Sequence, residues 1–292
     1  MSTPPNSLDR SGVKVARSDG VAAWRERRNV LKKRMVAGER PRVVWVSIPW
    51  PPIIEILAQA GVDGVLIDMQ HSSLDLDGVE RLIAASEAAG VSCLVRPRVI
   101  ARNTISTLLD LGANGIVFPD IRTVDDAYAA REMMFYPPVG IRDWGGSHTR
   151  AVKWQGQSAS ETIATASSAE SVYSEEFVKK ANSELLMIFL VGTSVGLDNI
   201  QGILTAGSPD AVAFALGQFS VESSFDLAAA EKAALYLYDV CKERGVGFAL
   251  SGKARAGQEA YPGCYIVSGI DILMIRKALH EALGTAVGSV DS

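Results

Sequence analysis

Short apolar runs rich in β-branched residues alternate with amphipathic helical segments through most of this 292-residue chain. Between Val43 and Met134 the alternation recurs at intervals of about 25 residues, which is typical of strand–helix units in a parallel sheet. Further strands follow a long stretch rich in Gly, Ser and Thr and bring the predicted total to eight. The pattern therefore predicts an α/β fold, a (β/α)8 TIM barrel with its site at the carboxyl ends of the strands.

The predicted element bounds follow from the apolar periodicity and from turn and capping residues. The predicted strands are Val43 to Ile48, Val65 to Ile67, Cys93 to Val95, Gly115 to Pro119, Leu185 to Val191, Ala211 to Leu216, Gly247 to Leu250 and Cys264 to Val267. The predicted helices are Ile53 to Ala60, Leu76 to Ala89, Thr104 to Leu111 with Asn103 as N-cap, Val124 to Met134, Ser194 to Leu204, Leu227 to Glu243 and Ile272 to Leu283.

The chain divides into a polar arm and one folded domain. Residues 1–20 are rich in Ser, Pro and Asp and predict a disordered arm, and residues 21–292 predict a single barrel domain. Val21 to Ala37 has a basic helical pattern, which favours a lid over the amino end of the barrel or a subunit contact over a membrane surface.

Composition excludes several classes of partner. The net charge of -4 and the pI near 5.5, without a basic stripe, argue against nucleic acid. No apolar run approaches the roughly 18 residues that cross a bilayer. Cys93, Cys241 and Cys264 lack the Cys-x-x-Cys spacing and predict core cysteines in a reduced, cytoplasmic protein.

Titratable side chains follow the second and third predicted strands. Asp68 and His71 come after the second strand, and Arg96 ends the third. The carboxyl ends of neighbouring parallel strands meet at one rim, so these three residues are expected to share a site. A histidine there suits a general base, and an arginine suits a carboxylate or enolate.

Four motifs occur in a specific order along the chain: Asp68-x-x-His71, Val95-Arg96-Pro97, Leu108-Leu-Asp-x-Gly-Ala113 and Pro119-Asp120. Their order resembles the HpcH/HpaI aldolase family, and the likeness extends from about Val43 to about Leu283. The resemblance implies a carbon–carbon lyase or condensing enzyme that acts on a 2-oxo or dicarboxylic acid through an enolate. It also implies hexamers of dimers that exchange their C-terminal helices, here Ile272 to Leu283.

The resemblance also implies roles for individual residues. His71 would be the catalytic base, Asp110 would hydrogen-bond and orient it, and Arg96 would stabilise the anion. Asp68 would support the site from inside the barrel. The small-molecule partner would be a carboxylate.

The chain departs from the family where the family binds Mg or Mn. Gly192 stands where a metal-binding glutamate belongs, Gln218 where an aspartate belongs, and Gln70 replaces an acid beside His71. These metals require hard anionic oxygens, which glycine lacks and glutamine supplies only without charge. We therefore expect no metal and no other cofactor.

Three routes to a stabilised enolate without that metal remain open. Arg96 and backbone amides near Gly217 and Gln218 would carry the charge alone. Alternatively, Lys253 would form a Schiff base, although a solvated loop lysine is the plainer interpretation. In the third route, the protein would resemble relatives that condense oxaloacetate with acetyl-CoA to citrate without a metal.

Two aromatic residues are candidates for the pocket wall, against the alternative of ordinary packing. Trp50 follows the first predicted strand and Phe189 lies near the end of the fifth. Both would favour a substrate bulkier or less polar than pyruvate plus an aldehyde. His148 and Trp144, in the long loop, are expected to reach over a site, from the same or a neighbouring subunit. The rival to an enzyme is a barrel that binds a carboxylate without turnover.

Overall fold

The computed structural model describes residues 29–145, 149–150, 175–251 and 265–285. Eight parallel strands form a closed barrel in chain order, and the last strand pairs with the first. The predicted (β/α)8 fold is confirmed. The strands are β1 (Arg42–Val46), β2 (Gly64–Asp68), β3 (Ser92–Arg96), β4 (Gly115–Phe118), β5 (Leu186–Val191), β6 (Ala211–Ala215), β7 (Gly247–Ser251) and β8 (Tyr265–Ile270).

The helices of the described ranges surround or close this barrel. They are α1 (Val30–Val36), α2 (Pro52–Gln59), α3 (Leu76–Ala89), α4 (Arg102–Asp110), α5 (Val124–Met134), α6 (Glu175–Glu184), α7 (Ser194–Asp198), α8 (Ile200–Gly207), α9 (Leu216–Glu222), α10 (Leu227–Glu243) and α11 (Asp271–Leu283). Within these ranges, no helix is both long enough and apolar enough to span a bilayer.

Side chains alternate between two apolar layers along each strand, as the pleat requires. One layer lies inside the barrel and includes Leu66, Leu94 and Ile188. The other lies between the strands and the helices and includes Ile67 and Val95. Alternate residues of each strand therefore face the barrel interior. A polar side chain at such a position near the carboxyl end of its strand points towards the mouth of the barrel.

Three predicted helices, α3, α5 and α10, have the bounds that the sequence indicates. Two other predictions were wrong. The helix after β3 begins at Arg102 with Ala101 as N-cap, so Asn103 is not the cap. The predicted helix from Ser194 to Leu204 is broken at Asn199 into α7 and α8.

The amino end of the barrel is covered by α1, which confirms a lid for the described part of the basic segment. Leu31 packs into the inner layer, and the Asn29 side-chain amide donates to the Asn114 carbonyl at 3.1 Å. The predicted arm, residues 1–20, lies outside the described residues.

The last helix, α11, is fixed mainly at its first residue. Asp271 is buried and accepts hydrogen bonds from the Ser47 N–H and hydroxyl at 2.9 and 2.8 Å and from the Ile48 N–H at 2.9 Å. Beyond Asp271 the helix exposes five large aliphatic side chains, which are Ile272, Leu273, Ile275, Leu279 and Leu283. This apolar surface suits a subunit contact, and helix exchange stays a prediction.

Candidate active site

Asp68 and Arg96 form a buried ion pair where β2 and β3 end. The two residues are register partners across the strands. Arg96 donates from Nε to Asp68 Oδ1 at 2.8 Å and from Nη2 to Asp68 Oδ2 at 2.6 Å. Only 4% of Arg96 is exposed, so two parallel charge-assisted hydrogen bonds hold its guanidinium in one orientation.

Trp45, on β1, covers one face of this guanidinium. The Arg96 Cζ atom lies 4.2 Å from the centroid of the indole ring, a cation–π contact. Trp45 Nε1 is buried, and it has no hydrogen-bond partner in the part of the chain that the structure describes. The sequence analysis did not predict this contact, although Trp45 and Arg96 both occupy positions whose side chains face the barrel interior.

Asp68 also organises the turn that carries His71. Its Oδ1 atom accepts from the Gln70 N–H at 3.0 Å and from the His71 N–H at 3.4 Å, and its carbonyl accepts from the Ser72 hydroxyl. The His71 side chain is exposed, and its ring makes no hydrogen bond to any described residue. Asp68, His71 and Arg96 thus come together at one rim, as the strand order indicates.

A second arginine, Arg98, contacts the same turn and was missed by sequence reasoning. It donates to the carbonyls of Met69, Ser72 and Leu74. These contacts depend on the path of the loop, which residue type and spacing do not reveal. In the sequence, only the position of Arg98, two residues after Arg96 at the end of β3, could have indicated that it lies near the site.

Asp110 does not lie beside His71 in this chain, so the implied pair between them stays a prediction that would require a second subunit. Because α4 runs antiparallel to the strands, its last residue, Asp110, lies at the amino end of the barrel. His71 follows the carboxyl end of β2. The Asp110 carboxylate instead accepts from Arg142 Nη2 at 2.6 Å.

Arg142 is the centre of this amino-end cluster. Only 2% of its side chain is exposed, and its Cζ atom lies 4.3 Å from the Tyr136 ring centroid. Trp144 packs against Tyr136 with the ring centroids 5.5 Å apart. Burial raises the pKa of the Tyr136 phenol. Trp144 therefore does not reach over the site of its own chain, while His148 lies outside the described residues.

The two positions that would bind the family's metal lie against each other at the ends of β5 and β6. Gly192 is buried, and a Cβ atom there would lie 2.8 Å from Ala215 Cβ and 3.1 Å from Gln218 Cβ. A side chain at position 192 would therefore require Ala215 and Gln218 to shift. Ser194 donates to Glu222 from its N–H at 3.0 Å and from its hydroxyl at 2.7 Å, which ties α7 to α9.

The residues present do not fit a divalent metal. Glycine and glutamine supply no anionic oxygen at these positions. Across the described ranges, no group of three or more His, Cys, Asp or Glu side chains is arranged to hold a metal ion.

The remaining candidates differ in their placement. Gly217 and Gln218 lie in the first turn of α9 and are exposed, and a Cβ atom at Gly217 would meet nothing within 4 Å. Trp50 follows β1 and is 52% exposed. Gln70 lies beside His71 and is half-buried. Lys253 lies outside the described residues.

Phe189 is not a pocket residue, contrary to the sequence prediction. Its side chain faces outward from β5 and is fully buried in the layer between the strands and the helices. Its ring makes an edge contact with Phe118 at 6.2 Å between centroids. The alternative of ordinary core packing is correct for this residue.

Comparison with known proteins supports the family resemblance. Residues 42–236, more than half of the chain, match the HpcH/HpaI aldolase/citrate lyase family. The hydroxypyruvate/pyruvate aldolase of Deinococcus radiodurans is 27% identical over 257 residues, which cover 84% of this chain and 86% of that protein. The 4-hydroxy-2-oxovalerate aldolase of Novosphingobium aromaticivorans is 29% identical over 252 residues, which cover 82% and 87% respectively.

A solved structure also matches. The crystal structure of an HpcH/HpaI aldolase from Desulfitobacterium hafniense DCB-2 superimposes with a TM-score of 0.74 at 23% identity, over 87% of this chain and 95% of that one. At this identity the likeness shows the barrel fold alone. The names of the two similar aldolases agree with the predicted carbon–carbon lyase. The chain belongs to the HpcH/HpaI aldolase/citrate lyase family.

Proposed function

We propose that this protein is an aldolase-like carbon–carbon lyase that forms an enolate from a 2-oxo or dicarboxylic acid without a divalent metal. Family membership and the names of the similar aldolases support the reaction class. The observation that carries the proposal is the buried Asp68–Arg96 pair next to the exposed imidazole of His71. A fixed cation and an accessible base are the two groups that enolate chemistry needs.

His71 handles the proton in this mechanism. In the cleavage direction it accepts the proton of the substrate's 4-hydroxyl group. The C3–C4 bond then breaks, its electron pair becomes the enolate of the 2-oxo acid, and an aldehyde leaves. The enolate takes a proton at C3 from the imidazolium, which restores the neutral base. The reverse sequence gives aldol addition.

Arg96 holds the substrate's carboxylate and the developing enolate oxygen. Asp68 occupies Nε and one hydrogen of Nη2, so Nη1 and the second Nη2 hydrogen remain as donors. Asp68 also compensates the cost of burying the guanidinium, and Trp45 restricts its motion. The substrate therefore meets a cation whose position is set before binding, as efficient stabilisation of charge requires.

Neutral donors take the place of the metal. The Gln218 side chain is exposed beside Gly192, and its amide makes no hydrogen bond to another described residue. That amide and the N–H groups of Gly217 and Gln218 are the donors available at this side of the rim. Trp50 provides an exposed apolar wall on the opposite side, after β1. No step depends on a metal ion.

Deuterium exchange at the methyl group of pyruvate tests this proposal without knowledge of the aldehyde. The protein is treated with EDTA, incubated with pyruvate in D2O and followed by NMR. We expect exchange to persist with EDTA, to disappear in His71→Ala, and to be unchanged in His280→Ala, a histidine on α11. Exchange that requires added Mg or Mn would contradict metal independence.

A second candidate is the condensation of oxaloacetate with acetyl-CoA. It is favoured by the same absence of anionic residues at Gly192 and Gln218, because thioester deprotonation needs a base rather than a Lewis acid. Release of the free thiol of coenzyme A on mixing the two substrates would identify it. Binding of pyruvate or oxaloacetate without either reaction would instead favour a non-catalytic carboxylate-binding barrel.

Assembly and location belong to the same proposal. The exposed aliphatic surface of α11 supports a homo-oligomer built from dimers, either a dimer or a hexamer. Asp110 orients His71 only if a neighbouring subunit brings its amino end to this rim. Cys93 and Cys241 are free and buried, which suits a cytoplasmic protein.

A further inference from the structure

We infer that Arg98 is a positioning residue for His71, a role that rests on the proposed function of His71 as the base. Arg98 donates from Nε to the Met69 carbonyl at 3.1 Å and from Nη2 to the carbonyls of Ser72 and Leu74 at 3.0 and 3.3 Å. Met69 precedes His71, and Ser72 and Leu74 follow it. One guanidinium therefore holds the backbone on both sides of the base.

The turn from Met69 to Leu74 needs these contacts because it lies beyond the end of β2, where the ladder of strand hydrogen bonds stops. Several of its N–H groups already have acceptors. Asp68 accepts from Gln70 and His71, and the Ser72 hydroxyl accepts from the Leu74 N–H at 3.1 Å. The carbonyls that bond to Arg98 have no strand partner. Asp68, itself paired with Arg96, thus accepts from two N–H groups of this turn, and Arg98 donates to three of its carbonyls.

The buried residues at the two ends of the turn fix the backbone, and this positions the exposed imidazole of His71. Met69 and Leu74 are buried at 7% and 1% exposure, whereas His71 between them is exposed. Within the described ranges no carboxylate forms an ion pair with Arg98. The guanidinium therefore bonds to the backbone of the turn and not to a carboxylate on the surface.

Only arginine can make this arrangement. Its planar fork presents several N–H groups in fixed directions and can bond to three carbonyls at once. The ammonium of a lysine is a single point that cannot span the same three acceptors. A base held in one place enters the reaction without an additional entropic cost, and misplacement by about 1 Å lowers rates by up to about 100-fold.

The test compares Arg98→Ala and Arg98→Lys with Arg122→Ala, a matched control. Arg122 is an exposed arginine at the same end of the barrel, after β4, and pairs with Asp120 at 2.7 Å. In the pyruvate exchange assay we expect kcat to fall about 10- to 100-fold in both Arg98 variants while KM changes little. Guanidinium ion, added below denaturing concentrations, should restore Arg98→Ala but not His71→Ala.

A measurement independent of turnover separates this inference from the proposed function. Hydrogen exchange of residues 69–75, followed by mass spectrometry, should accelerate in Arg98→Ala and stay unchanged in Arg122→Ala. If the wild-type protein lacks activity, the proposed function fails, and this measurement still decides whether Arg98 holds the turn that carries His71. Unchanged protection of the loop, or an effect confined to KM, would overturn the inference.

Discussion

Gln218 packs against the backbone of Gly192, so closely that a Cβ atom on the glycine would lie 3.1 Å from Gln218 Cβ. Ala215 is closer still, at 2.8 Å. Any side chain at position 192 would therefore require these two neighbours to shift.

A larger residue in place of Gly192 should lower the stability of the fold. We expect Gly192→Ala to lower the free energy of unfolding by about 1–3 kcal/mol, because the new methyl group overpacks a buried contact. Gly217→Ala is the matched control, since a Cβ atom there meets nothing within 4 Å and the residue is helical. Urea unfolding of both variants makes the comparison, and equal stability of the two would contradict the close contact.

The buried ion pair between Asp68 and Arg96 predicts a larger loss of stability when one partner is removed. Asp68→Asn leaves the Arg96 cation buried without its partner, and loss of one member of such a pair costs about 3–5 kcal/mol. The variant should also be inactive. Asp77→Asn breaks the exposed pair between Asp77 and Arg81 on α3 and should change stability little. Thermal or urea unfolding distinguishes the two, and a stable, active Asp68→Asn would contradict the role of the pair.

The rim residues Asp68, His71 and Arg96 could be predicted because parallel strands end at one edge and alternate side chains face inward. The same parity could have excluded Phe189, since Ile188 and Leu190 face the barrel interior. The direction of α4 could likewise have placed Asp110 at the amino end. The family resemblance implied a partner for His71 without stating which subunit supplies it.

Other features could not be predicted, for physical reasons. The helix α9 follows β6 without a turn or capping signal, because Leu216 continues the apolar run. The contacts of Arg98 and Asp271 join loops whose path depends on long-range packing. Hydrogen bonds to backbone carbonyls leave no trace in residue identity, and so the sequence could not indicate them.

The buried thiols give a pH-dependent prediction. Burial raises the pKa of both Cys93 and Cys241 to about 12, so they stay protonated in the folded protein where an exposed thiol ionises. The unfolded chain loses these protons at lower pH, so stability should decline as the pH rises above about 9. A thiol reagent should react with both only after unfolding, and prompt reaction in the native state would contradict their burial.

The aliphatic surface of α11 predicts a change in assembly. Leu279→Lys places a charge in this exposed apolar surface and should shift the protein to smaller species, with little loss of fold because the residue is already 54% exposed within the chain. Lys277→Ala is the control, since Lys277 lies on the same helix and pairs with Glu281. Light scattering after gel filtration gives the masses, and identical masses would leave this surface without a role in assembly.

Asp110 and His71 provide the last prediction, because each lacks the other within its own chain. If the amino end of one subunit meets the rim of another, the two inactive variants Asp110→Asn and His71→Ala should complement each other when subunits exchange. In a random mixture, about one quarter of the sites would combine both native residues and regain activity. The exchange assay with pyruvate, before and after mixing, measures this directly. Full activity of Asp110→Asn alone would instead restrict Asp110 to its ion pair with Arg142, and absence of recovery after verified exchange would exclude a pair between subunits.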